Sequence, residues 1–267
     1  MKVVILTSYT TANIYLVNYL TDRKDVIAKV IERTPLLSSY KEKMAVRKGL
    51  IKKFGLVKTM NKLIYNKYRS YFLDRKNREI IRQALFPEVL DLAYTKQVPT
   101  MGVENINESK CIDFISKYNP DIIAVCGTTI LKPEVFQLSK RGTINIHCGI
   151  TPEYRSAEPI FWALYNNEPD KVGVTIHFVD EGIDTGDIIY QEAVTIKKND
   201  NLATLRCKCI KAGAVLMIKA IDDIERSRVK RIKKDIRGGK AYYHMDLGIW
   251  QYLIFKWQFS KLKKRLC

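Results

Sequence analysis

Long hydrophobic runs are missing from this chain. Although 46% of its residues are hydrophobic, no uninterrupted apolar stretch approaches the ~18 residues of a membrane-spanning helix, which argues against a spanning segment. Paired cysteines are missing too. Cys111, Cys126, Cys148, Cys207, Cys209 and Cys267 are scattered, and only Cys207 and Cys209 stand close together. That pattern fits reduced, mostly buried thiols in a cytoplasmic protein, not a disulfide framework or a zinc clamp. Histidine is scarce: His147, His177 and His244 alone could add nitrogen ligands, so no metal site is expected. The apolar run from Val3 to Leu6 follows Lys2 but breaks at Ser8-Tyr9-Thr10-Thr11 without a small-residue cleavage pattern. A buried first strand is the expectation there, not a secretory leader.

Acidic residues are few, and their shortage is local. The chain carries 46 Lys and Arg against 28 Asp and Glu, a net charge of +18. Segment 41–82 has 14 basic against 3 acidic residues and segment 226–267 has 13 against 2, so the rest of the chain sums to −4. A near-neutral middle between two basic flanks suggests that chemistry and electrostatic attraction are divided along the chain. The flanks read either as surfaces drawn to an anionic partner or as solvated faces of basic helices. At 267 residues the chain suits one large domain or a domain with an appendage.

Periodicity sets the architecture. Residues 2–8 are a β-branched run, an apolar-periodic stretch through Ile14, Leu16, Val17 and Leu20 follows, and a second run spans Val26 to Ile31. Strand, helix, strand points to a mostly parallel, Rossmann-like α/β sheet with helices on both faces. The stretch 39–84 shows no clear strand and reads as inserted helices. Beyond Pro99 the expectation is a strand at 100–103, a helix at 108–118, a strand at 121–126, a helix near 132–139 and a strand at 143–147. Strands at 172–179 and 188–196 then flank the loop Asp180-Glu-Gly-Ile-Asp-Thr-Gly-Asp187, and a helix at 200–225 closes a unit spanning 1–226. Ligands of open α/β sheets bind beyond the carboxyl ends of the strands, so chemistry should cluster at 126–131 and 145–156.

Asn145 and His147 alternate on one strand and project to the same side, about 6.5 Å apart. An amide and an imidazole at the end of an apolar strand are costly unless satisfied, so the pair is either a hydrogen-bonded structural couple or a functional one. The string Ile144-Asn-Ile-His-Cys-Gly-Ile-Thr-Pro-Glu-Tyr-Arg155, then Pro159 and Trp162, then the loop 180–187, resembles the folate-dependent formyltransferase family. That family includes glycinamide ribonucleotide, methionyl-tRNA and sugar-nucleotide N-formyltransferases. The resemblance covers roughly residues 95–205.

The resemblance implies that Asn145, His147 and Asp184 are catalytic and that N10-formyltetrahydrofolate is the formyl donor. As an amine attacks the formyl carbon, its oxygen gains negative charge, and the Asn145 amide and a protonated His147 can donate to it. Asp184 is assigned a double role, holding His147 in its charged form and accepting the amine's proton. By the same resemblance the pterin lies against Gly127, Thr128, Thr129, Ile130 and Leu131 and against Asp180, Glu181, Gly182 and Ile183. Ile130 and Leu131 also read as plain packing residues.

The acceptor follows by comparison of branches. Glycinamide ribonucleotide enzymes carry a glycine-rich phosphate loop after the first strand, where this chain has Ser8, Tyr9, Thr10 and Thr11. Methionyl-tRNA enzymes carry a further C-terminal β-rich domain, for which the roughly forty residues after 225 are too few. The resemblance therefore points to an amino-deoxysugar nucleotide of surface polysaccharide synthesis, with Ser8, Tyr9, Thr10, Tyr154 and Arg155 as acceptor contacts. Ser156 stands where a glycine commonly follows the arginine. Nucleic acid is set aside as a partner, although the basic flanks leave RNA as an alternative. The segment 227–267 places Trp250, Leu253, Ile254 and Trp257 at helical spacing beside Lys256, Lys261, Lys263, Lys264 and Arg265. It reads as a packing or homodimerisation element, with peripheral membrane contact as the other option.

Overall fold

The computed structural model describes residues 1–33, 40–88, 93–233, 235 and 239–266, apart from the side chains of 40–43 and 156. Residue 39 of the expected insertion and Cys267 lie outside them. Nine strands are present among the described residues: β1 (Val3–Ser8), β2 (Val26–Glu32), β3 (Thr100–Val103), β4 (Ile122–Cys126), β5 (Thr143–His147), β6 (Tyr154–Ser156), β7 (Gly173–Phe178), β8 (Ile188–Ala193) and β9 (Lys240–Tyr242). Seven of them form one sheet in the order β3-β2-β1-β4-β5-β7-β8, and β6 pairs with β9 apart from it. From β3 to β5 every pairing is parallel, whereas β7 runs antiparallel to both β5 and β8. The strand at 172–179 is where expected, but its reversed direction is not legible in an alternating pattern, which gives the face of each side chain and not the sense of the chain.

The helices are α1 (Thr11–Thr21), α2 (Tyr40–Phe54), α3 (Leu56–Phe72), α4 (Asp74–Leu85), α5 (Ser109–Tyr118), α6 (Pro133–Phe136), α7 (Pro159–Tyr165), α8 (Leu202–Glu225) and α9 (Ile249–Arg265). The first three after α1 realise the insertion between second and third strands. The helix expected at 132–139 is shorter, ending at Phe136. Local chemistry sets the boundaries. Thr10 accepts from the Asn13 N–H at 3.2 Å and opens α1, and Asn119, with φ of 47°, closes α5. Asn201 opens α8 by accepting from the N–H groups of Ala203 and Thr204 at 2.9 and 3.1 Å, while the Thr204 hydroxyl accepts from the Asn201 N–H at 2.9 Å.

Strand alternation divides the core between two faces. Val3, Ile5, Ile122, Ala124, Ile144, Ile146, Val174 and Ile176 face a large cluster built with α1, α7, α8 and α9. Val4, Leu6, Ile123 and Val125 face a smaller one with α5 and α6. Asn145 pairs with Val125 on one side and His177 on the other, so Asn145, His147 and His177 all point to the second face. The segment after α8 is tied into the fold. Tyr242 of β9 stacks on Trp162, centroids 4.2 Å apart, and α9 buries Tyr252, Phe255 and Phe259, with Phe255 4.9 Å from Phe161. Buried aromatics at i, i+3 and i+7 are the inner stripe of an amphipathic helix.

Candidate active site

At the carboxyl end of β5, Asn145, His147 and Asp184 meet. The Asn145 Nδ2 lies 3.4 Å from Asp184 Oδ1, and the His147 Nδ1 lies 3.4 Å from Asp184 Oδ2. A residue that the sequence reading named only as a possible zinc ligand completes the group. His177 Nε2 sits 3.1 Å from Asn145 Nδ2 and 3.4 Å from Asp184 Oδ1. Both imidazoles are buried, and Asp184 is nearly so.

Hydrogen-bond accounting assigns the protons. His177 Nδ1 is 2.7 Å from the Phe178 carbonyl oxygen, which only accepts, so Nδ1–H donates and Nε2 of the neutral ring accepts from the Asn145 amide. His147 Nε2 lies 2.9 Å from the Tyr154 carbonyl oxygen and must donate to it. Its Nδ1 then faces a carboxylate oxygen, a contact that is attractive only with a proton between them.

The loop 180–187 is built to aim Asp184. Asp180 Oδ1 accepts from the Gly182 N–H at 3.1 Å and from the Thr185 hydroxyl at 2.6 Å, so this predicted folate contact spends that oxygen on shaping the loop. Asp184 itself has φ of 51°, in the left-handed region that aspartate tolerates better than most residues. At Gly186 a Cβ would fall 1.9 Å from the Phe178 carbonyl oxygen, so the loop can return to β8 only through glycine. Glu181 and Gly182 are exposed, while Ile183 is half-buried.

The second predicted loop lies where the strand order reverses, between β1 and β4, the usual ligand crevice of an open sheet. Ser8 Oγ donates to the Gly127 carbonyl oxygen at 2.6 Å, and Asn13 Nδ2 donates to Ser8 Oγ at 2.9 Å. Glu32, buried at the end of β2, accepts from the Thr129 N–H at 2.7 Å, the Thr129 hydroxyl at 2.6 Å and the Ile106 N–H at 3.0 Å. Asn107 holds the far end, donating to the Ile130 carbonyl oxygen at 3.0 Å and accepting from the Lys132 N–H at 2.8 Å. Thr128 donates its hydroxyl to the Thr129 carbonyl oxygen at 3.0 Å. The sequence reading missed Glu32 and Asn107, for which the available signal was a carboxylate ending an apolar strand. Ile130 is 64% exposed and free to cover a ligand, whereas Leu131 is buried in the smaller core cluster and packs.

The acceptor assignments divide. Tyr9 is exposed and Thr10 commits its hydroxyl to the α1 cap. Tyr154 is corrected: its side chain is wholly buried, its hydroxyl donates to Glu168 and accepts from Asn166 at 2.9 Å, and only its carbonyl oxygen faces the site. Burial and the bond to Glu168 push its phenol well above the usual range. Arg155 is half-buried and its Nε is buried without a hydrogen-bond partner, so its guanidinium still has a donor to satisfy. A cavity of about 850 Å³ lies elsewhere, among α3, α4, α7, α8 and α9, and shares no residue with the Asn145 group. Among the described residues no three His, Cys, Asp or Glu are placed to hold a metal ion.

The family model described as formyl transferase matches residues 55–221. That range takes in α3 and α4 as well as the motifs read above. A methionyl-tRNA formyltransferase from Azobacteroides pseudotrichonymphae is 33% identical over 150 residues, which are 56% of this chain and 46% of that protein. The chain thus spans about half the length of the curated relatives it matches. Among solved structures, a 4-N formyltransferase from Francisella tularensis superposes with a TM-score of 0.54 at 23% identity, covering 90% of this chain and 75% of that one. A sugar N-formyltransferase from a Shewanella species gives 0.57 at 15% identity, covering 97% and 87%. At these identities the superpositions show a shared fold. With more than half of its residues inside the family model, the chain belongs to the formyl transferase family.

Proposed function

We propose that this protein transfers the formyl group of N10-formyltetrahydrofolate to the primary amine of an amino-deoxysugar nucleotide, with residues 1–226 as the catalytic unit. The observation that carries the reading is the meeting of Asn145, His147 and Asp184 within 3.4 Å on one sheet face. When bound, the folate supplies an activated formyl carbon. The crevice between β1 and β4 suits such a ligand: its loop backbone is fixed by Glu32 and Asn107, and the exposed Ile130 offers apolar cover for a flat ring.

The protein's part is to stabilise charge and move protons. With substrate in place, the Asn145 amide hydrogen and the His147 Nδ1–H that face Asp184 at 3.4 Å turn to the oxygen that becomes negative as the amine adds. Each amide hydrogen held at that oxygen must be fixed in advance, and His177 does this by accepting the other hydrogen of Asn145. Asp184, alone or through a water, takes the proton that the amine loses as the new C–N bond forms. The departing folate nitrogen gains a proton as its bond to the formyl carbon breaks. A single protonated imidazole can serve both steps if the proton passes from His147 and is restored through Asp184.

Support for a sugar-nucleotide acceptor comes from the Gly149-to-Arg155 string and the glycine-free turn Ser8-Tyr-Thr-Thr11. Two superposable structures are likewise named as a 4-N and a sugar N-formyltransferase. A second reading, formylation of methionyl-tRNA, is favoured by the names of the curated relatives and by the basic flanks. Incubating the purified chain with N10-formyltetrahydrofolate and, separately, a panel of amino-sugar nucleotides and charged initiator tRNA tests both. Tetrahydrofolate release with a sugar nucleotide, lost in Asn145→Ala, is expected. Release with tRNA alone would overturn the acceptor, and release with no amine would overturn the activity.

A further inference from the structure

The catalytic reading leaves the basic flanks and the outer side of α9 unused. On α9 the buried stripe is Tyr252, Phe255 and Phe259, so the helix is already docked. Its other side still exposes large apolar groups: Trp250 (62%), Leu253, Ile254 and Trp257 (59%). The neighbouring α3 does the same with Leu56, Val57 (80%), Met60 and Ile64. The two helices touch through Tyr65, Tyr68 and Tyr252, with ring centroids 5.5 and 5.4 Å apart, and through Asn61, whose Nδ2 donates to Gln251 at 3.0 Å. Two helices in contact with each other therefore each carry a row of exposed apolar side chains.

The charge on the two helices themselves is of one sign, although Lys58 is paired with Asp246 at 2.6 Å and Arg69 with Asp74 at 3.3 Å. Neither helix contains an Asp or Glu, while α3 has Lys58, Lys62, Lys67 and Arg69 and α9 has Lys256, Lys261, Lys263, Lys264 and Arg265. Lys261 lays its ammonium 3.5 Å from the Trp257 ring centroid, the posture of a long cation reaching past an aromatic toward a charged interface. Beside α9 opens the cavity of about 850 Å³, with an apolar floor at Phe161, Phe255 and Phe259 and eight Lys or Arg around it against two carboxylates. Those two carboxylates are already engaged, Asp74 by Arg69 at 3.3 Å and Glu158 by Arg206 at 2.6 Å.

From these features we infer that the α3–α9 layer rests on the surface of a bilayer containing anionic lipid, exposed Trp, Ile, Leu and Val side chains entering the acyl boundary and Lys and Arg meeting the phosphates. Other occupants fit less well. A second copy of the same layer would bring nine cations against nine. A nucleic acid would match the charge but leave the aliphatic side chains without a counterpart. No helix among the described residues is long and apolar enough to cross a membrane, so the contact is peripheral. Asn145 and His147 face the opposite side of the sheet from α9, so the active site stays open while the protein is docked.

Flotation of the full chain with vesicles of phosphatidylcholine, with and without phosphatidylglycerol, tests this. Binding is expected only with the anionic lipid and should weaken as salt rises. Trp250→Ser with Trp257→Ser should cut partitioning at least tenfold, and Lys256→Glu with Lys263→Glu at least as much, since both replacements reverse a charge. Lys117→Glu, on the exposed side of α5 beneath the other face, should leave it unchanged. Unaltered circular dichroism and melting of each variant would exclude misfolding as the cause. The inference is overturned by absence of flotation on anionic vesicles at low salt, by equal flotation on neutral ones, or by full flotation of the Trp variant. It is equally overturned if sedimentation shows a dimer that Trp257→Ser dissociates, because the layer would then be a self-association face.

Discussion

Asp184 faces two donors, the Asn145 amide and the His147 Nδ1, with His177 Nε2 also 3.4 Å away, while its own backbone sits at φ of 51°. Asp184→Asn keeps the size but removes the charge and half of the acceptor capacity. Its kcat/KM is expected to fall by about 10²-fold or more, the usual worth of a positioned acid or base, with little change in melting temperature. A steady-state assay on a variant of proven fold checks this, and near-normal turnover would remove Asp184 from the mechanism. Glu32 holds the Gly127–Leu131 loop through Thr129 and is proposed to act through it. Glu32→Ala would leave the Thr129 N–H, the Thr129 hydroxyl and the Ile106 N–H without their partner, costing about 1–3 kcal/mol per buried group left unsatisfied. A lower melting temperature and a raised KM for the folate, with kcat changed less, are the expected pair of results.

Elements place these residues because alternation on a strand is strict. One residue of slip in β5 would turn Asn145 and His147 into the large core cluster and Ile144 and Ile146 out onto the open face. The Asn-x-His spacing was therefore readable from sequence, as was Asp184 in its glycine-flanked loop. The contribution of His177 was not, because it depends on β7 pairing antiparallel with β5 so that His177 falls opposite Asn145. Tyr154 was misassigned for a related reason. A short strand such as β6 gives no periodic signal, and only its pairing with β9 turns the phenol inward toward Glu168. The loop that carries Asp184 offers a test at this scale. Gly186→Ala would force a Cβ against the Phe178 carbonyl oxygen and shift the loop. Turnover should fall at least tenfold while far-ultraviolet circular dichroism is retained.

Across the whole molecule, carboxylates fasten the outer elements to the core, and their titration predicts how the fold fails in acid. Burial alone would lift the Asp246 carboxyl, but the Lys58 ammonium at 2.6 Å and the Tyr243 N–H at 2.7 Å outweigh it and hold it below the usual range. At Asp200 burial is likewise outweighed, by Lys208, the Lys197 N–H and the Thr204 hydroxyl. A depressed carboxyl contributes stability that is present above its unfolded value, about pH 4, and is lost as pH falls through the lower folded value. Melting temperature should therefore decline below about pH 4. In Asp246→Asn the decline should be shallower, since that variant has already lost the α3 tie. A variant as acid-sensitive as the parent would show that the Lys58–Asp246 pair contributes nothing.

Composition and periodicity by themselves pointed to an α/β chain with inserted helices and two basic flanks, and the resemblance of its motif strings to a known family joined Asn145, His147 and Asp184 in one pattern. These are local properties: hydrophobic period, turn chemistry and residue spacing survive in one dimension. Only the tertiary structure decided that β7 runs backward, that His177 and Glu32 brace the site, and that the outer face of α9 stays bare beside an acid-free α3. Each of those depends on which distant segments pair, and pairing is settled by the burial of whole faces, not by any single stretch of residues.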